Sequence, residues 1–406
     1  MFDVNEIRKD FPMIQNRPDL IYFDNGATTY KPQPVIDAVL GFYNGYTSNV
    51  ERGDYETAAK ADKAYADTRK IIARFINCDP KEVVFTANIT ASLNQIAWGL
   101  GRSFLHEGDI VLTTEAEHAS NLLPWFRLEK DLGIKIEYIP VDHQGVCHIE
   151  DVRKALNEKV KVVAMAHVTN VLGSVQPIRE IAEAAHEYGA YVVMDGAQSV
   201  PHRRTDVREL GVDFMGFSSH KMCGPDGVGV LYGRYELLQK MEPVFLGGGM
   251  NARFSSDFNI ILKDAPEKFE AGTPNIEGVI GLGAAAEYLM SLGMDNIQQY
   301  EKELRAYFAA KISQLDNIEF YNPDNLSGPI TFNGKGVFAQ DAAGYLGSKN
   351  ICVRSGNHCA KILHEVIGTD QTIRASLYFY NTKEEVDRFI EAAAQISLEN
   401  AVSIFF

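Results

Sequence analysis

Short apolar runs alternate with helical patterns between about residues 80 and 235. The runs are bounded by polar or glycine-containing segments, which favours strands that are buried on both faces. The strand candidates are VVFTA, IVLTT, KIEYIPV, VKVVAMAHV, YVVMDGA, FMGFSSH and VGVLYG. Strands that alternate with amphipathic helices predict an α/β fold with a mainly parallel, seven-stranded sheet flanked by helices.

One of the intervening helices can be predicted from its periodicity. The segment IREIAEAAHEYG follows Pro177 and ends at Gly189, and these residue types commonly start and stop helices. Its predicted apolar face comprises Ile178, Ile181, Ala182, Ala185 and Tyr188. We therefore expect a crossover helix that packs on one face of the sheet.

The pattern changes after about residue 290. A helix in ELRAYFAAKISQL precedes strands in NIEFYN, GPITFN, ICVRS and TIRASLYF, and Thr382 and Glu385 have the spacing of a capping box before a last helix. This order predicts a smaller α+β domain. We expect a segment over residues 1–20 that packs on the small domain, a large domain over 21–285, and the small domain over 286–406.

The 406 residues include 39 basic and 54 acidic ones, which gives a formal charge of -15. Such acidity opposes binding to nucleic acid or to an anionic membrane as a general role. No apolar run approaches the roughly 18 residues that span a bilayer, and the first residues lack the basic and apolar regions of a signal peptide. We therefore expect a cytoplasmic enzyme. Five cysteines in so long a chain do not indicate a disulfide framework.

Asp195 and Lys221 are the strongest candidates for chemistry, because each follows an apolar run and so falls at a strand end. Open α/β sheets bind ligands at the carboxyl ends of their strands. A lysine amine can condense with the aldehyde of pyridoxal 5'-phosphate, and a carboxylate can keep the pyridine nitrogen protonated. The alternative is a turn-capping aspartate and a solvated lysine, but the neighbouring Ser218, Ser219 and His220 favour the cofactor.

A phosphate site is predicted where the strand in VVFTA turns into a helix that begins near Ile89 or Thr90. Helix N-termini bind phosphate through backbone amides, so Thr90 is the natural side-chain donor. Ser218 and His220 could complete the site. Thr90 could instead serve only as the helix N-cap.

Three more side chains follow strands of the predicted sheet: His118 after IVLTT, Asn170 in HVTNVLG and Gln198 after YVVMD. An imidazole at this edge can stack on the cofactor ring and relay a proton. Gln198 and Asn170 can each donate to the phenolic oxygen of the ring. A single such residue is usually structural, so the prediction depends on several strand ends that supply compatible groups.

Cys359 lies in VRSGNHCAKILHEVIG, a polar loop predicted between two strands, and is the candidate reactive thiol. The neighbouring His358 and the nearby Arg354 and Lys361 could favour its thiolate form. Cys352, in the apolar NICV, is predicted to be a buried core thiol. A zinc site made of Cys359, His358 and His364 fits no common ligand spacing, so we expect no metal.

Arg374 lies in TIRASLYF, a run of strand-forming residues in which an unpaired charge would be costly to bury. A bidentate contact with a substrate carboxylate would explain the arginine. A structural ion pair would explain it equally well, so the local sequence leaves both alternatives open.

With these residues assembled, the chain resembles the cysteine desulfurases of the class V aminotransferase family, and among them the SufS-like group II enzymes. The resemblance covers nearly the whole length and is carried by YFDNGATTYKPQPVIDAV, NVERG, HVTNVLGSVQPI, MDGAQSVPH, FSSHK, FEAGTPN, RSGNHCA and IRASLYFYNTKEEVDRF. It implies the pyridoxal-phosphate-dependent transferase fold of aspartate aminotransferase type I. It also implies conversion of L-cysteine to L-alanine with a persulfide on Cys359, whose sulfur passes to an acceptor protein for iron–sulfur cluster assembly.

The resemblance further implies roles for individual residues. Lys221 would hold the cofactor and take a proton from the substrate, and the ring would be contacted by Asp195, His118 and Gln198. The implied phosphate-binding residues are Thr90, Ser218 and His220, with Thr273 serving the other subunit of a homodimer that shares its active sites. The implied substrate-binding residues are Asn170, Arg374, Arg354 and Ala27.

Some positions depart from the pattern of these enzymes. Asn357 stands where the motif before Cys359 usually has a first histidine. Ile89 replaces one threonine of the phosphate turn, and Glu51 replaces a frequent histidine in NVERG. Two alternatives stay open: a selenocysteine lyase or another class V enzyme of the same fold, and an inactive scaffold subunit. A reactive lysine with an intact set of cofactor contacts argues against the scaffold.

Overall fold

The computed structural model describes residues 2–257 and 259–403. The α-helices, in chain order, are α1 (Val4–Ile7), α2 (Pro12–Asn16), α3 (Gln33–Gly45), α4 (Glu56–Ile76), α5 (Ile89–Ser103), α6 (Ala119–Leu132), α7 (Ile149–Ala155), α8 (Ile178–Glu187), α9 (Val207–Leu210), α10 (Tyr235–Lys240), α11 (Ile276–Leu292), α12 (Met294–Ile312), α13 (Ala339–Ser348), α14 (Lys361–Val366), α15 (Lys383–Ala393) and α16 (Leu398–Ser403). The β-strands are β1 (Ile21–Tyr22), β2 (Val83–Thr86), β3 (Ile110–Thr114), β4 (Lys135–Ile139), β5 (Val160–Ala166), β6 (Tyr191–Asp195), β7 (Phe214–Ser218), β8 (Gly229–Gly233), β9 (Asn251–Phe254), β10 (Ile260–Leu262), β11 (Ile318–Phe320), β12 (Ile330–Gly334), β13 (Ile351–Cys352), β14 (Arg354–Gly356) and β15 (Thr372–Ala375).

The largest sheet has seven strands in the order β2-β8-β7-β6-β5-β3-β4. Strand β8 runs antiparallel to both of its neighbours, and all other pairings in this sheet are parallel. The seven predicted strands and the mainly parallel α/β fold are confirmed. The prediction succeeds because strands buried on both faces form short, nearly continuous apolar runs in a sequence.

Alternate side chains of this sheet pack into two hydrophobic cores, one on each face. In β6, Val192 and Met194 belong to one core and Val193 belongs to the other. Helices α3, α4, α8 and α11 contribute to the first core, and α5, α6 and α10 contribute to the second. Since helices cover both faces, the carboxyl-terminal edge of the strands is the part of the sheet that remains open to a ligand.

Helix α8 confirms the predicted crossover helix, whose buried face includes Ile178, Ile181, Ala182 and Ala185. The prediction for Tyr188 is wrong, because the helix ends at Glu187 and the tyrosine ring is 42% exposed. Beyond the last helical residue the chain changes direction, so the helical period no longer determines which face a side chain occupies.

The second sheet is antiparallel, with the strand order β11-β12-β15-β14. Its core joins Phe332 of β12 to Phe308 of α12 and Phe389 of α15. Helix α15 begins with the predicted capping box, in which the side chains of Thr382 and Glu385 each accept a hydrogen bond from the other residue's backbone amide. This α+β unit packs against the large sheet on the side where the site lies.

The first residues of the chain contact the last third. Phe11 packs against the rings of Phe379 and Tyr380, and Arg8 forms an ion pair of 2.8 Å with Glu385. These contacts anchor α1 and α2 beside the start of α15.

Strand β1 belongs to neither of these two sheets. It pairs in parallel with β13, and the amide of Ser376, just after β15, donates to the carbonyl of Phe23 at 2.6 Å. The expected division into residues 1–20, 21–285 and 286–406 stays a prediction. Among the helices within residues 2–257 and 259–403, none is both long and apolar enough to cross a membrane. The expected cytoplasmic location likewise stays a prediction.

Candidate active site

A cavity of about 290 Å³ opens at the carboxyl-terminal edge of the large sheet, beside the ends of β6 and β7. Every residue predicted to bind the cofactor, except Thr273, lines this cavity: Thr90, His118, Asn170, Asp195, Gln198, Ser218, His220 and Lys221. The lining is completed by Asn88, Ile89, Ser120, Ala166, Val168 and Ala197. The fold therefore brings together side chains that are far apart in the sequence.

Asp195 is the last residue of β6 and is 5% exposed. Its carboxylate accepts a hydrogen bond of 2.8 Å from the Ala197 amide. Burial raises the pKa of this carboxyl group, and the amide of Ala197 and the charge of Lys221 act against the rise. Lys221 lies just after β7, where burial lowers the pKa of its amine to about 8. The cavity thus holds a carboxylate and an amine that loses its proton readily.

Helix α5 begins at Ile89, and Asn88 is its N-cap, because the side chain of Asn88 accepts a hydrogen bond of 2.9 Å from the first turn. The alternative that Thr90 is the N-cap is therefore wrong. Thr90 shares a hydrogen bond of 2.8 Å with the hydroxyl of Ser120, and the hydroxyl of Ser218 accepts from the Ile89 amide at 2.8 Å. Three hydroxyl groups at a helix N-terminus form a site suited to a phosphate.

His118 and His220 are uncharged in this cavity at neutral pH. His118 is the N-cap of α6, and its Nδ1 atom accepts a hydrogen bond of 3.1 Å from the Ser120 amide. Burial, followed by the charges of Lys221 and Arg374, lowers the pKa of His118 to about 4. Burial and Lys221 also lower the pKa of His220 to about 4. An uncharged imidazole can stack on an aromatic ring at little desolvation cost.

Sequence reasoning missed Glu117, which is buried directly before His118. Its carboxylate accepts hydrogen bonds from Thr114 Oγ1 at 2.9 Å, from Asn121 Nδ2 at 2.8 Å and from the Ala166 amide. Burial raises the pKa of Glu117 to about 7. These bonds join β3, β5 and α6 and so fix the backbone that carries His118. The sequence signal that could have identified Glu117 was an acidic residue between the end of a strand and the start of a helix.

These groups fit pyridoxal 5'-phosphate. The hydroxyls at the start of α5 suit the phosphate, Asp195 suits a protonated ring nitrogen, and Lys221 suits the aldehyde. A positive ring nitrogen beside Asp195 would also offset the burial that raises the pKa of its carboxyl group. In addition, Asn170 Oδ1 is buried without a hydrogen-bond partner among the described residues, as expected of an atom that meets a ligand.

Two predicted ligand donors also hydrogen-bond to the protein. Gln198 Nε2 donates to the carbonyl of Gly26 at 2.9 Å, and Asn170 Nδ2 donates to the carbonyl of His358 at 2.7 Å. A side-chain amide has two N–H groups, so each residue keeps one donor for a ligand. The bond from Asn170 also joins the cavity to the loop that carries Cys359.

Arg374, in β15, is 3% exposed. Its Nη1 atom donates to the carbonyl of Asn170 at 2.8 Å, its Nη2 atom is 3.8 Å from Asp24 Oδ1, and its Nε atom has no partner among the described residues. Burial lowers the pKa of the guanidinium to about 10. The contact with Asp24 is too long for a bidentate ion pair, so Arg374 retains donors for a substrate carboxylate.

Arg354 and Ala27, the other two implied substrate-binding residues, both contact Asp24. Arg354 binds Asp24 through Nε and Nη2, each at 3.1 Å, so these two nitrogens are engaged by the protein. The amide of Ala27 donates to the Asp24 carbonyl at 3.0 Å and closes the turn. A Cβ atom at Gly26, inside that turn, would lie 2.8 Å from Ser376 Oγ and 3.1 Å from Arg374 Nη2, so a side chain there would displace both groups.

Cys359 lies in a short loop, residues 357–360, between β14 and α14. Helix α14 was not predicted, so the connection between the strands is not all loop. His358 and Cys359 have φ angles of 50° and 57°, in the left-handed region that residues other than glycine rarely adopt. Cys359 is exposed, and its carbonyl accepts a hydrogen bond of 2.7 Å from the amide of Ala119. This bond holds the loop beside His118 and the cavity.

Two interpretations of the Cys359 region are wrong. His358 cannot stabilise a thiolate by its charge, because burial lowers its pKa to about 2 and leaves the ring neutral. Its Nε2 atom donates instead to the carbonyl of Thr372 at 3.0 Å. Cys352 is not a core thiol, since it is only partly buried, in the edge pairing of β13 with β1.

Thr273 lies outside the Lys221 cavity. It is exposed, accepts a hydrogen bond of 3.3 Å from Asn49 Nδ2, and lines a separate cavity of about 290 Å³. The structure of one chain therefore does not bring it to the other predicted phosphate ligands. In the described part of the chain, no group of three or more His, Cys, Asp or Glu residues is arranged to hold a metal ion.

Comparisons with known proteins agree with this geometry. A model of the aminotransferase class-V family matches residues 21–389. A relative from Halalkalibacterium halodurans, named probable cysteine desulfurase, is 44% identical over 389 residues, which are 95% of this chain and 96% of the relative. The apo structure of a cysteine desulfurase from Thermococcus onnurineus NA1 has a TM-score of 0.92 at 39% identity and covers 96% of this chain and 97% of its own. The Escherichia coli cysteine desulfurase CsdA has a TM-score of 0.91 at 32% identity and covers 100% and 99%.

Proposed function

This chain belongs to the aminotransferase class-V family, and on that premise we propose that it is a pyridoxal 5'-phosphate-dependent cysteine desulfurase. It converts L-cysteine to L-alanine and leaves a persulfide on Cys359. The observation that carries the proposal is the position of Cys359, which is exposed yet bonded to Ala119 at the cavity that holds Lys221 and Asp195. A negative charge at Cys359 would act to raise the pKa of both Lys221 and Arg374, which places the thiol close to both groups.

Bound pyridoxal 5'-phosphate supplies an electron-accepting ring that weakens the bonds at the substrate Cα atom. Asp195 would keep the ring nitrogen protonated, and His118 would pack against the ring, since both side chains line the cavity. Burial lowers the pKa of Lys221 to about 8, so its amine can take a proton from Cα near neutral pH. Arg374 orients the substrate carboxylate with the donors that the protein leaves free.

The sulfur step requires a thiolate and no external oxidant. The Cys359 thiolate attacks the sulfur of L-cysteine, so that a sulfur–sulfur bond forms and the bond between sulfur and Cβ breaks. The electron pair of the broken bond stays on the carbon fragment, which gains protons and leaves as L-alanine. The persulfide, which the exposed position of Cys359 leaves accessible, then passes its outer sulfur to a thiol of an acceptor protein. We propose that this acceptor serves iron–sulfur cluster assembly.

The proposal also includes a homodimer with shared active sites, in which Thr273 serves the phosphate site of the partner subunit. Exposed apolar side chains support it: Phe245, which lines the same cavity as Thr273, is 70% exposed, and Phe254, at the end of β9, is 74% exposed. Ile260 and Ile261 of β10 are also exposed. Such a group of apolar side chains marks an interaction surface. Sedimentation should give a dimer, and the pair Phe254→Asp with Ile261→Asp should give a monomer.

The proposed function is tested with purified protein, L-cysteine and a reductant. We expect equal amounts of L-alanine and sulfide, and without reductant the peptide that contains Cys359 should gain the mass of one sulfur atom. L-Serine, which has no sulfur, is the matched control and should give neither product. Rapid alanine formation without sulfur on Cys359 would contradict the sulfur-transfer mechanism.

A further inference from the structure

A second cavity, of about 280 Å³, adjoins the Lys221 cavity. The two share Val168, Asn170 and Gln198 as wall residues. The second cavity extends from this wall toward α12 and the segment at residues 326–329. No step of the proposed desulfurase reaction uses it.

Three cationic side chains line the second cavity: Arg203, Lys302 and Arg305. Arg305 of α12 is 3% exposed, and its Nη2 atom donates to the carbonyl of Asn322 at 2.7 Å. Its Nε atom is buried without any hydrogen-bond partner in the described part of the chain. Burial lowers the pKa of Arg305 to about 10, which still leaves it charged at neutral pH.

Arg203 also lacks a counter-ion. Its Nη1 atom is 3.4 Å from His167 Nε2, and burial, followed by the charge of Arg203 itself, lowers the pKa of His167 to about 3. The imidazole is therefore neutral and accepts a hydrogen bond without offsetting the charge. Within residues 2–257 and 259–403, neither Arg203 nor Arg305 has a carboxylate within 4.0 Å.

Glu301 is the one carboxylate in the described lining of the second cavity. Its Oε2 atom is 2.8 Å from His202 Nδ1, so it is already paired. Burial also raises the pKa of Glu301, which weakens its negative charge. The lining therefore has more positive than negative charge, and a buried arginine without a counter-ion is costly unless a ligand supplies one.

The remaining lining indicates the kind of anion. Ser376 is 5% exposed, and its hydroxyl is buried without a partner among the described residues, so it is free to donate. Val175, Leu326, Pro329 and Leu377 give the cavity an apolar portion. A carboxylate on a short aliphatic chain matches both features, whereas an inorganic oxyanion uses only the cationic one.

We propose that the second cavity binds a small aliphatic carboxylate through Arg203, Arg305 and Ser376, at a site distinct from Arg374. The shared wall of Asn170 and Gln198 would make a ligand in this site a neighbour of the cofactor. The proposal goes beyond the desulfurase function and holds or fails independently of it, because its test measures binding rather than turnover.

The test is calorimetric titration of the cofactor-loaded protein with succinate, and separately with sulfate at matched ionic strength. We expect succinate to bind and to raise the thermal midpoint of unfolding. Arg305→Met and Arg203→Met should each weaken succinate binding by at least about tenfold, the effect of losing a charge-assisted hydrogen bond. Arg203 is only partly buried, so Arg203→Met keeps the test valid if Arg305→Met unfolds the protein.

Two control variants separate this site from others. Arg179→Met removes an exposed arginine of α8 that is paired with Glu183, and it should leave succinate binding unchanged. Arg374→Met identifies succinate that binds instead at the proposed anchor of the substrate carboxylate, because only binding at that position depends on Arg374. The proposal is overturned if succinate does not bind, if sulfate binds as tightly, or if Arg374→Met removes the binding while Arg203→Met and Arg305→Met do not.

Discussion

The Lys221 cavity and the Cys359 loop lie side by side and are built in opposite ways. Lys221 and Asp195 follow central strands of the large sheet, and burial shifts the pKa of both. Cys359 is exposed on a loop, and its backbone adopts the left-handed conformation. The amide of Ala119 donates a hydrogen bond to its carbonyl. The difference separates two requirements, since a proton-transfer group benefits from a buried, fixed place, and a thiol that delivers sulfur must be accessible.

The largest effect should come from Lys221→Ala, which removes the buried amine proposed to bind the cofactor. Turnover of L-cysteine should fall by at least about a thousandfold, because both cofactor attachment and proton transfer are lost. Alanine formation measures the rate, and the visible absorption of the lysine-linked cofactor should disappear. Lys130→Ala, at an exposed position of α6, is the matched control and should keep both. Unchanged absorption in Lys221→Ala would show that another lysine holds the cofactor.

Cys359→Ser should have the next largest effect and should leave the buried region intact. Alanine formation from L-cysteine should fall by about a hundredfold or more, because serine is a poor nucleophile toward sulfur. The cofactor absorption should stay unchanged. Cys352→Ser, in the partly buried β13, is the control and should retain activity.

Cys359→Ser also distinguishes the alternative function. Selenocysteine cleavage depends less on an enzyme thiol, so a selenocysteine lyase would keep most of its turnover with L-selenocysteine in this variant. Full retention of L-cysteine turnover in Cys359→Ser would contradict the assignment of Cys359 as the sulfur acceptor.

Acid pH should destabilise the protein through both regions, but over different ranges. The folded-state pKa is about 4 for His118 and about 2 for His358, whereas an unfolded histidine has a pKa of about 6.5. As pH falls below about 6.5, the unfolded state binds a proton that the folded state does not, so stability is lost by up to about 1.4 kcal/mol per pH unit for each histidine. The loss from His118 should stop growing near pH 4, while the loss from His358 continues.

Denaturant unfolding at a series of pH values measures these slopes. His358→Gln should reduce the slope both above and below about pH 4, whereas His118→Gln should reduce it only above. His106→Gln, at a strongly exposed position, should leave the slope nearly as it is. Equal effects of His118→Gln and His106→Gln would mean that the cavity does not exclude a charged imidazole.

The smallest effect should come from Ala119→Pro, which removes the amide that holds the Cys359 carbonyl. Proline is well accepted at the first position of a helix, and the extended backbone of His118 already suits a residue before proline. Loss of one hydrogen bond of about 1 kcal/mol should raise hydrogen exchange in residues 357–360 by about fivefold. Lys383→Pro, at the same position of α15, should not change that exchange. Slower cofactor binding in Ala119→Pro would show that the two regions are not separable.

The strands and the strand-end residues could be predicted because they depend on local signals. Apolar runs gave the sheet, and position after such runs identified Asp195, Lys221 and His118. Features set by contacts between distant segments could not be predicted. Burial by β15 makes His358 neutral, and Asn88 becomes the N-cap because the chain is extended at that residue.

The second cavity gave no signal in the sequence. Arg203 and Arg305 are about a hundred residues apart, and each looks like an ordinary surface cation in its own helix or turn. Only the packing of α12 beside the end of β5 buries Arg305 and part of Arg203, and among the described residues it places no carboxylate within 4.0 Å of either guanidinium. The departure at Asn357 has a local explanation, since its side chain donates to the carbonyl of Asp370 at 2.8 Å and closes the loop.

The pairing of β1 with β13 limits how far Cys359 can travel. The backbone bonds from Phe23 to Cys352 and from Ser376 to Phe23 tie the small α+β unit to the segment after β1, and the Thr29 amide in turn donates to the His220 carbonyl just after β7. Displacement of the whole unit would break these bonds. The segment at residues 357–360 spans at most about 14 Å when fully extended, so Cys359 can move only a short distance even if the bonds from Ala119 and Asn170 break. The proposed sulfur acceptor would therefore have to dock on this face and bring its own thiol to Cys359, because the segment is too short to carry Cys359 elsewhere.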